Sequence, residues 1–328
     1  MPFTLQLAPL HGVTNRHFRA AWFAHFGGFD SVMAPFILAV PGSSVRKTHF
    51  KDVIPQPELS IPLVPQILGN EGASFADSAR VLRDAGYGEV NWNLGCPYPM
   101  VAKKYRGSGL LPHPDRIDRF LETVFSAGDM PAVSVKLRLG RASVGEWRSF
   151  MPVLNRYPLS SVTIHGRVGT QMYRGAVRLA DYAEAAASCA HPVIGNGDVF
   201  DLRSFCATQS AFPNATGWML GRGALYDPYL PSRIRAYLDR GPDGALLTAE
   251  FPKPGSGAWL EGIAPFHDDI FSRYRSVLFG PAHVLDKMKE IWTYLSHWLP
   301  DGKRYMARLA RVRGLEEYTG CVDELLRR

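Results

Sequence analysis

Residues 132–167 read AVSVKLRLGRASVGEWRSFMPVLNRYPLSSVTIHGR. An apolar run at 132–139 closes on Gly140, an amphipathic stretch covers 145–155, and a second apolar run at 161–164 closes on His165. Strand, helix, strand is the βαβ unit, and near-continuous apolarity is what a parallel strand covered on both faces shows. The first run also carries Lys136 and Arg138 two residues apart, which places both on one face of a strand.

The same unit recurs on either side. Apolar runs lie at 5–10, 29–38, 62–68, 90–94, 192–194 and 217–220, making eight in all. Helical patterns lie between and after them at 15–26, 74–85, 115–127, 179–189, 201–210 and 228–238, several ending at glycines such as Gly86 and Gly128. Eight strands and their helices within about 240 residues predict an α/β fold, a (β/α)8 TIM barrel over residues 1–240. A doubly wound open sheet would place a glycine-rich phosphate turn after the first strand. No GxGxxG follows residues 5–10.

The rhythm breaks at RGPDGALLTAEFPKPGSG, residues 240–257, and 241–258 reads as a linker. Helical patterns resume at 266–278, 282–298, 302–311 and 316–326. They predict a small all-helical C-terminal domain over 259–328.

Of the 328 residues, 46% are hydrophobic and 20% charged. That composition excludes fibrous, collagen-like and wholly disordered classes. No apolar run reaches the ~18 residues of a membrane helix, and the N-terminus lacks a signal-type pattern, so a cytoplasmic protein with no membrane partner is expected. Cys96, Cys189, Cys206 and Cys321 lack CxxC pairing, and no HExxH occurs, so neither a disulfide framework nor a zinc site is expected. The net charge is +7. Residues 272–314 hold nine basic against three acidic residues, a local excess compatible with nucleic acid. The aromatics there, Trp292, Tyr294, Trp298 and Tyr305, are spaced as a helical core is spaced.

In a (β/α)8 barrel the chemistry sits at the C-terminal strand ends. Here those ends carry Pro9-Leu10-His11, Gln66, Asn93 with Cys96, Lys136 with Arg138, His165 with Arg167, Asn196-Gly197-Asp198 and Gly221-Arg222-Gly223. Glycine turns after strands seven and eight suit a phosphate. Two cations in the barrel mouth need an anionic partner, either a ligand or an acid such as Asp198. Cys96 precedes Pro97 in a loop, so it is expected to be exposed at the mouth as a nucleophile or general acid. The other three cysteines read as packing residues.

These residues sit in recognisable motifs: APLHGVTN at 8–15, VPQILGN at 64–70, NWNLGCPYPMVAKKYRGSGLL at 91–111, SVKLRLG at 134–140, HGRVGTQMYRG at 165–175, IGNGDV at 194–199 and GRGAL at 221–225. In this order they resemble the tRNA-dihydrouridine synthases, and the C-terminal HVLDKMKEIWTYLSHWLP resembles that family's helical domain. The resemblance implies tightly bound FMN, NADPH as a transient reductant, and reduction of the C5=C6 bond of a tRNA uridine, in the D-loop by the look of the tail. It assigns FMN contacts to Pro9, Leu10, His11, Gln66, Lys136, His165, Asn196, Gly197, Asp198, Gly221 and Arg222. It makes Cys96 the general acid, sets Asn93 against the uracil, and brings Arg167 to the flavin phosphate or the substrate. Lys103, Lys104 and Arg106 are expected to meet tRNA phosphates, by their charge and position. A monomer is expected. A flavin barrel acting on a small molecule, of dihydroorotate-dehydrogenase type, would use the same strand ends but leaves the helical tail unexplained. The motifs depart from the family pattern at Leu10, where Met is frequent, at Asn15, where Asp is common, and at Val168, where Thr is usual.

Overall fold

The computed structural model describes residues 3–39, 50–56, 58–240 and 250–326. Eight parallel strands form the barrel. They are β1 (Thr4–Leu7), β2 (Ser31–Met33 continued by Ile37–Leu38), β3 (Leu63–Val64 continued by Gln66–Leu68), β4 (Glu89–Leu94), β5 (Ala132–Gly140), β6 (Val162–Val168), β7 (Val193–Asn196) and β8 (Gly217–Leu220). Each pairs with the next, and β8 pairs with β1 through Gly217 opposite Thr4 and Leu220 opposite Leu7, so the ring closes. β2 and β3 are each broken once, at Ala34-Pro35-Phe36 and at Pro65. A proline has no N–H for the ladder, which is why these two strands come in halves.

All eight apolar runs of the sequence became strands. Their outward side chains, such as Val90, Trp92, Val133, Val135, Val162 and Ile164, are buried under the helices in one large core. The inward side chains are different. Ala8, Met33, Val64 and Met219 form a separate small apolar layer. Beside it runs a buried polar ladder: Gln66 Nε2 donates to Asn91 Oδ1 at 2.7 Å, and Asn91 Nδ2 donates to Ser134 Oγ at 3.0 Å. Each buried amide there finds a partner, as low-dielectric surroundings require.

The tail helices are Gly257–Val277, Pro281–Leu295, Gly302–Arg311 and Leu315–Leu326. The first begins nine residues before the pattern starting at 266, inside the stretch read as linker. Of that linker, 241–249 lies outside the described residues. Gly262 and Pro265 hid the early start, because both disfavour helix interiors. Tertiary contacts override them. Ser256 caps the helix by accepting from Trp259 N–H, the buried Trp259 ring donates to Asp227 at 3.0 Å, and a Cβ at Gly262 would sit 2.1 Å from the Tyr229 hydroxyl. Trp292 is fully buried and donates to Tyr318, which also bonds His267, so this aromatic spacing is core packing.

The tail closes onto the barrel at its first loop. Asn15 caps helix Arg16–His25 through Oδ1, while its Nδ2 donates to the Tyr274 hydroxyl of the tail at 3.0 Å. An aspartate here could cap but not donate. Lys287 Nζ donates to the Gly12 carbonyl at 2.7 Å. The tail therefore holds the loop that follows β1.

Candidate active site

The C-terminal strand ends line an open cavity. Ala8, Pro9, Leu10 and His11 wall it from β1, Asn93 and Cys96 from β4, and Lys136 and Arg138 from β5. His165 and Tyr173 come from β6 and its loop, Asn196, Gly197 and Asp198 from β7, and Gly221 and Arg222 from β8. Thirteen residues singled out in the sequence thus converge here from six strands.

Lys136 Nζ donates to Asn196 Oδ1 at 2.9 Å. It does not meet Asp198, the acid that the sequence offered as an alternative partner. Asp198 is held by two arginines: Arg167 grips both of its carboxylate oxygens, and Arg222 reaches Oδ1 at 3.0 Å. Among the described lining residues Asp198 is the one carboxylate, against Lys136, Arg138 and Arg222. Burial and the neighbouring Arg138 pull the Lys136 ammonium down to about 7. Arg138 is buried and bonds carbonyls, those of Gly95, Val168 and Met172, at 2.7–3.0 Å. Burial pulls its pKa down to about 10, so it stays charged at neutral pH. The floor of the cavity therefore presents cationic charge short of a counter-ion, which favours an anionic ligand.

His165 lies opposite Arg138 on β5 and Asn196 on β7. Burial, then the surrounding cations, hold its pKa well below the usual value, so the ring is neutral. Arg167 Nη1 lies 3.4 Å from His165 Nε2. A guanidinium can only donate, which assigns the proton to Nδ1 and leaves that N–H for a ligand.

Cys96 is 6% exposed, so it is not the open loop residue expected, although it does line the cavity. Its loop is clamped. Asn93 Oδ1 accepts from Gly95 N–H at 3.0 Å and Cys96 N–H at 2.9 Å, and Ser108 donates to the Cys96 carbonyl from both N and Oγ at 3.0 Å. Gly107 has φ +55°, and a Cβ there would lie 2.7 Å from the Cys96 carbonyl oxygen. Glycine is required at that turn on both counts. Burial raises the thiol pKa against the opposing pull of the Tyr98 N–H, Arg138 and Arg141. Cys96 is thus a neutral thiol at pH 7, a proton donor rather than a thiolate nucleophile.

Six expected site residues stand outside the cavity or are otherwise engaged. Gln66 is wholly buried beneath the cavity, where it accepts from Asn93 Nδ2 at 2.7 Å. Asn93 lines the cavity, but its oxygen is taken by the Cys96 loop. Arg167 is buried, does not line the cavity, and is bonded to Asp198 and the Gly175 carbonyl. Among Lys103, Lys104 and Arg106, which do not line the cavity, the lysines are exposed and Arg106 is half-buried, with Nε 3.3 Å from Asn70. Tyr173 was missed. It is held between guanidiniums, with Arg222 5.0 Å and Arg138 5.6 Å from its ring centre. Its motif, MYRG at 172–175, was in view, but nothing in the sequence says that a loop tyrosine folds back over a cavity.

A phosphorylated, planar anion fits these groups. Gly197 and Gly221 leave backbone without side chains beside Arg222, which suits a phosphate, and Lys136 lacks a carboxylate partner, which suits a ring carrying negative charge.

Comparisons with known proteins show the family. The family model described as dihydrouridine synthase (Dus) matches residues 6–251. The tRNA-dihydrouridine synthase B of Proteus vulgaris is 31% identical over 241 residues, covering 71% of this chain and 71% of that protein. A probable tRNA-dihydrouridine synthase of Rhodobacter capsulatus is 30% identical over 283 residues, covering 83% and 79%. Among solved structures, histamine dehydrogenase from Rhizobium sp. 4-9 matches with a TM-score of 0.54 at 10% identity, over 80% of this chain and 48% of that one. An old yellow enzyme homologue from Zymomonas mobilis matches with a TM-score of 0.52 at 11% identity, over 79% and 94%. These two structures speak for the barrel fold alone.

Proposed function

Because this chain belongs to the dihydrouridine synthase family, we propose that it reduces a tRNA uridine to 5,6-dihydrouridine using FMN bound in the barrel mouth. The observation that carries the reading is the pairing of a neutral thiol, Cys96, with an unpaired cation, Lys136, across one cavity. When bound and reduced by NADPH, FMN supplies the hydride that the uracil C6 receives. Lys136 and the neutral His165 N–H bind the ring edge, and Gly197, Gly221 and Arg222 hold its phosphate. Asp198 fixes Arg222, with Arg167 locking Asp198 from behind.

The uridine has to leave its stack to enter the cavity. As C6 gains hydride, negative charge develops toward C5 and the adjoining carbonyl. Cys96 Sγ donates its proton to C5, the role for which a buried, protonated thiol is suited. Asn93 holds the Cys96 loop through its oxygen, and its second amide hydrogen faces the base. Exposed Lys103 and Lys104, with Arg106, meet phosphates outside the cavity, and the tail adds a basic face. Binding weakens with salt as phosphate contacts require.

The test is a map of dihydrouridine in tRNA from cells lacking this gene, with and without the gene restored. One position should lose the modification, regain it with the wild-type gene, and stay unmodified with Cys96→Ala. An unchanged map in cells free of overlapping activities overturns the reading.

A further inference from the structure

From the cavity rim to the tail runs an unbroken stack of flat groups. Arg138 lies 5.6 Å and Arg222 5.0 Å from the centre of the Tyr173 ring, and Arg222 also lies 5.4 Å from that of Phe200. Phe200 stacks on Tyr226 at 5.6 Å and 26°. Tyr226 then stacks on His297 of the tail at 3.9 Å and 8°, with Tyr294 6.2 Å from Tyr226. The Trp298 ring lies 4.9 Å from the His297 ring at 86°. Arg138 stands on β5, and the others come from the segments after β6, β7 and β8, from the end of helix Pro281–Leu295 and from the turn Ser296–Trp298 that follows it. His297 is exposed, whereas Phe200 and Tyr226 are half-buried.

We propose that the Tyr226–His297 pair is a stacking platform for the base of a nucleotide flanking the uridine that enters the cavity. This rests on the function proposed above. One face of the His297 ring is taken by Tyr226, while the residue as a whole is open to solvent. Burial and the nearby Arg222 lower the His297 pKa, so the ring presents a neutral π-face. A single strand that places one base in the cavity leaves its neighbours at the rim, where every base has a flat face to stack whatever its identity. The alternation of guanidinium and ring favours nucleic acid over an apolar protein partner, since the guanidiniums accept both bases and phosphates. The platform belongs half to the barrel and half to the tail, so the tail takes part in presenting the uridine as well as in adding charge.

The experiment measures binding of unmodified tRNA, purified from cells without dihydrouridine, to the flavin-loaded full chain. His297→Ala removes an exposed ring and leaves the fold alone. It should raise the tRNA Kd about tenfold. His297→Phe should restore binding to within about twofold of wild type. Flavin content and NADPH oxidation with oxygen as acceptor should not change in either variant. Wild-type affinity for both His297→Ala and Tyr226→Leu overturns the platform while leaving the reductase function standing. Equal losses in His297→Ala and His297→Phe overturn stacking as the cause. A wild-type protein that reduces no uridine in this tRNA overturns the underlying function, and the partner assigned to the platform falls with it.

Discussion

The barrel mouth and the helical tail both carry surplus cations, but in opposite physical settings. At the mouth, Lys136 and Arg138 project from β5 into a cavity where their partners are an amide oxygen and carbonyls. On the tail, much of the surplus disappears on folding. Arg273 pairs with Asp269 at 2.6 Å, Lys287 with Glu290 at 2.8 Å, and Arg308 with Glu324. Asp269 and Glu324 lie just outside residues 272–314, so a count over that window overstates the field. A buried cation short of a counter-ion constrains its ligand strongly, whereas an exposed, paired one contributes mainly to long-range attraction. Two buried cations therefore say more about function than nine surface ones.

The sharpest way to break the contrast is chemical. Cys96→Ala should slow uridine reduction by at least about 100-fold. Reduction of the bound flavin by NADPH should proceed at the wild-type rate, as single-turnover absorbance would show. Equal slowing of both half-reactions would remove Cys96 from the acid role.

Next comes stability. Asp198→Ala leaves Arg167 buried without its carboxylate, and breaking such a pair should cost about 3 kcal/mol in denaturant unfolding. A loss under about 1 kcal/mol would mean that Arg167 is not desolvated, and the mouth would then resemble the tail.

A third test uses protons. Lys136, held at about 7 in the ligand-free chain against 10.5 ordinarily, is mostly neutral at pH 8.5. Binding the reduced flavin, whose ring is anionic, restores its charge, so binding of reduced flavin should take up nearly one proton at pH 8.5 and far less at pH 6. Calorimetry in buffers of different ionisation heat reads this directly, and Lys136→Met should abolish it. The stability of the ligand-free chain follows the same sign. Between pH 7 and about 10.5 the unfolded chain holds a proton at Lys136 that the folded chain lacks, so this group makes stability rise with pH across that window.

The smallest effect belongs to the tail. Lys287→Met removes the half-exposed hydrogen bond to Gly12 and the pair with Glu290, and should cost about 1 kcal/mol. Urea melts would read it. A much larger loss would show that the tail holds the β1 loop more firmly than these contacts account for.

The fold was legible because its signal is local and repeated. Eight apolar runs, each followed by a helix-period stretch, leave few arrangements, and all eight became strands. The site was legible to the extent that strand ends share one rim, which brought Pro9, Lys136, His165, Asn196 and Gly221 to one cavity. What a side chain does once there was not legible. The sequence set Gln66 and Asn93 at strand ends, but did not show that Asn93 holds the Cys96 loop while Gln66 stays below. Arg167 and Arg222 looked alike in the sequence. One is locked behind His165 and the other faces the cavity, because two guanidiniums share the Asp198 carboxylate. The helix start at Gly257 escaped propensity altogether, since burial of Trp259 against Asp227 outweighs Gly262 and Pro265. By itself the sequence determined the strands, their order and the rim on which the chemistry stands, because these follow from backbone periodicity. Only the tertiary structure decided which charges are paired, which thiol is buried and which rings stack, because partners distant in the chain and the local dielectric exist only once the chain has folded.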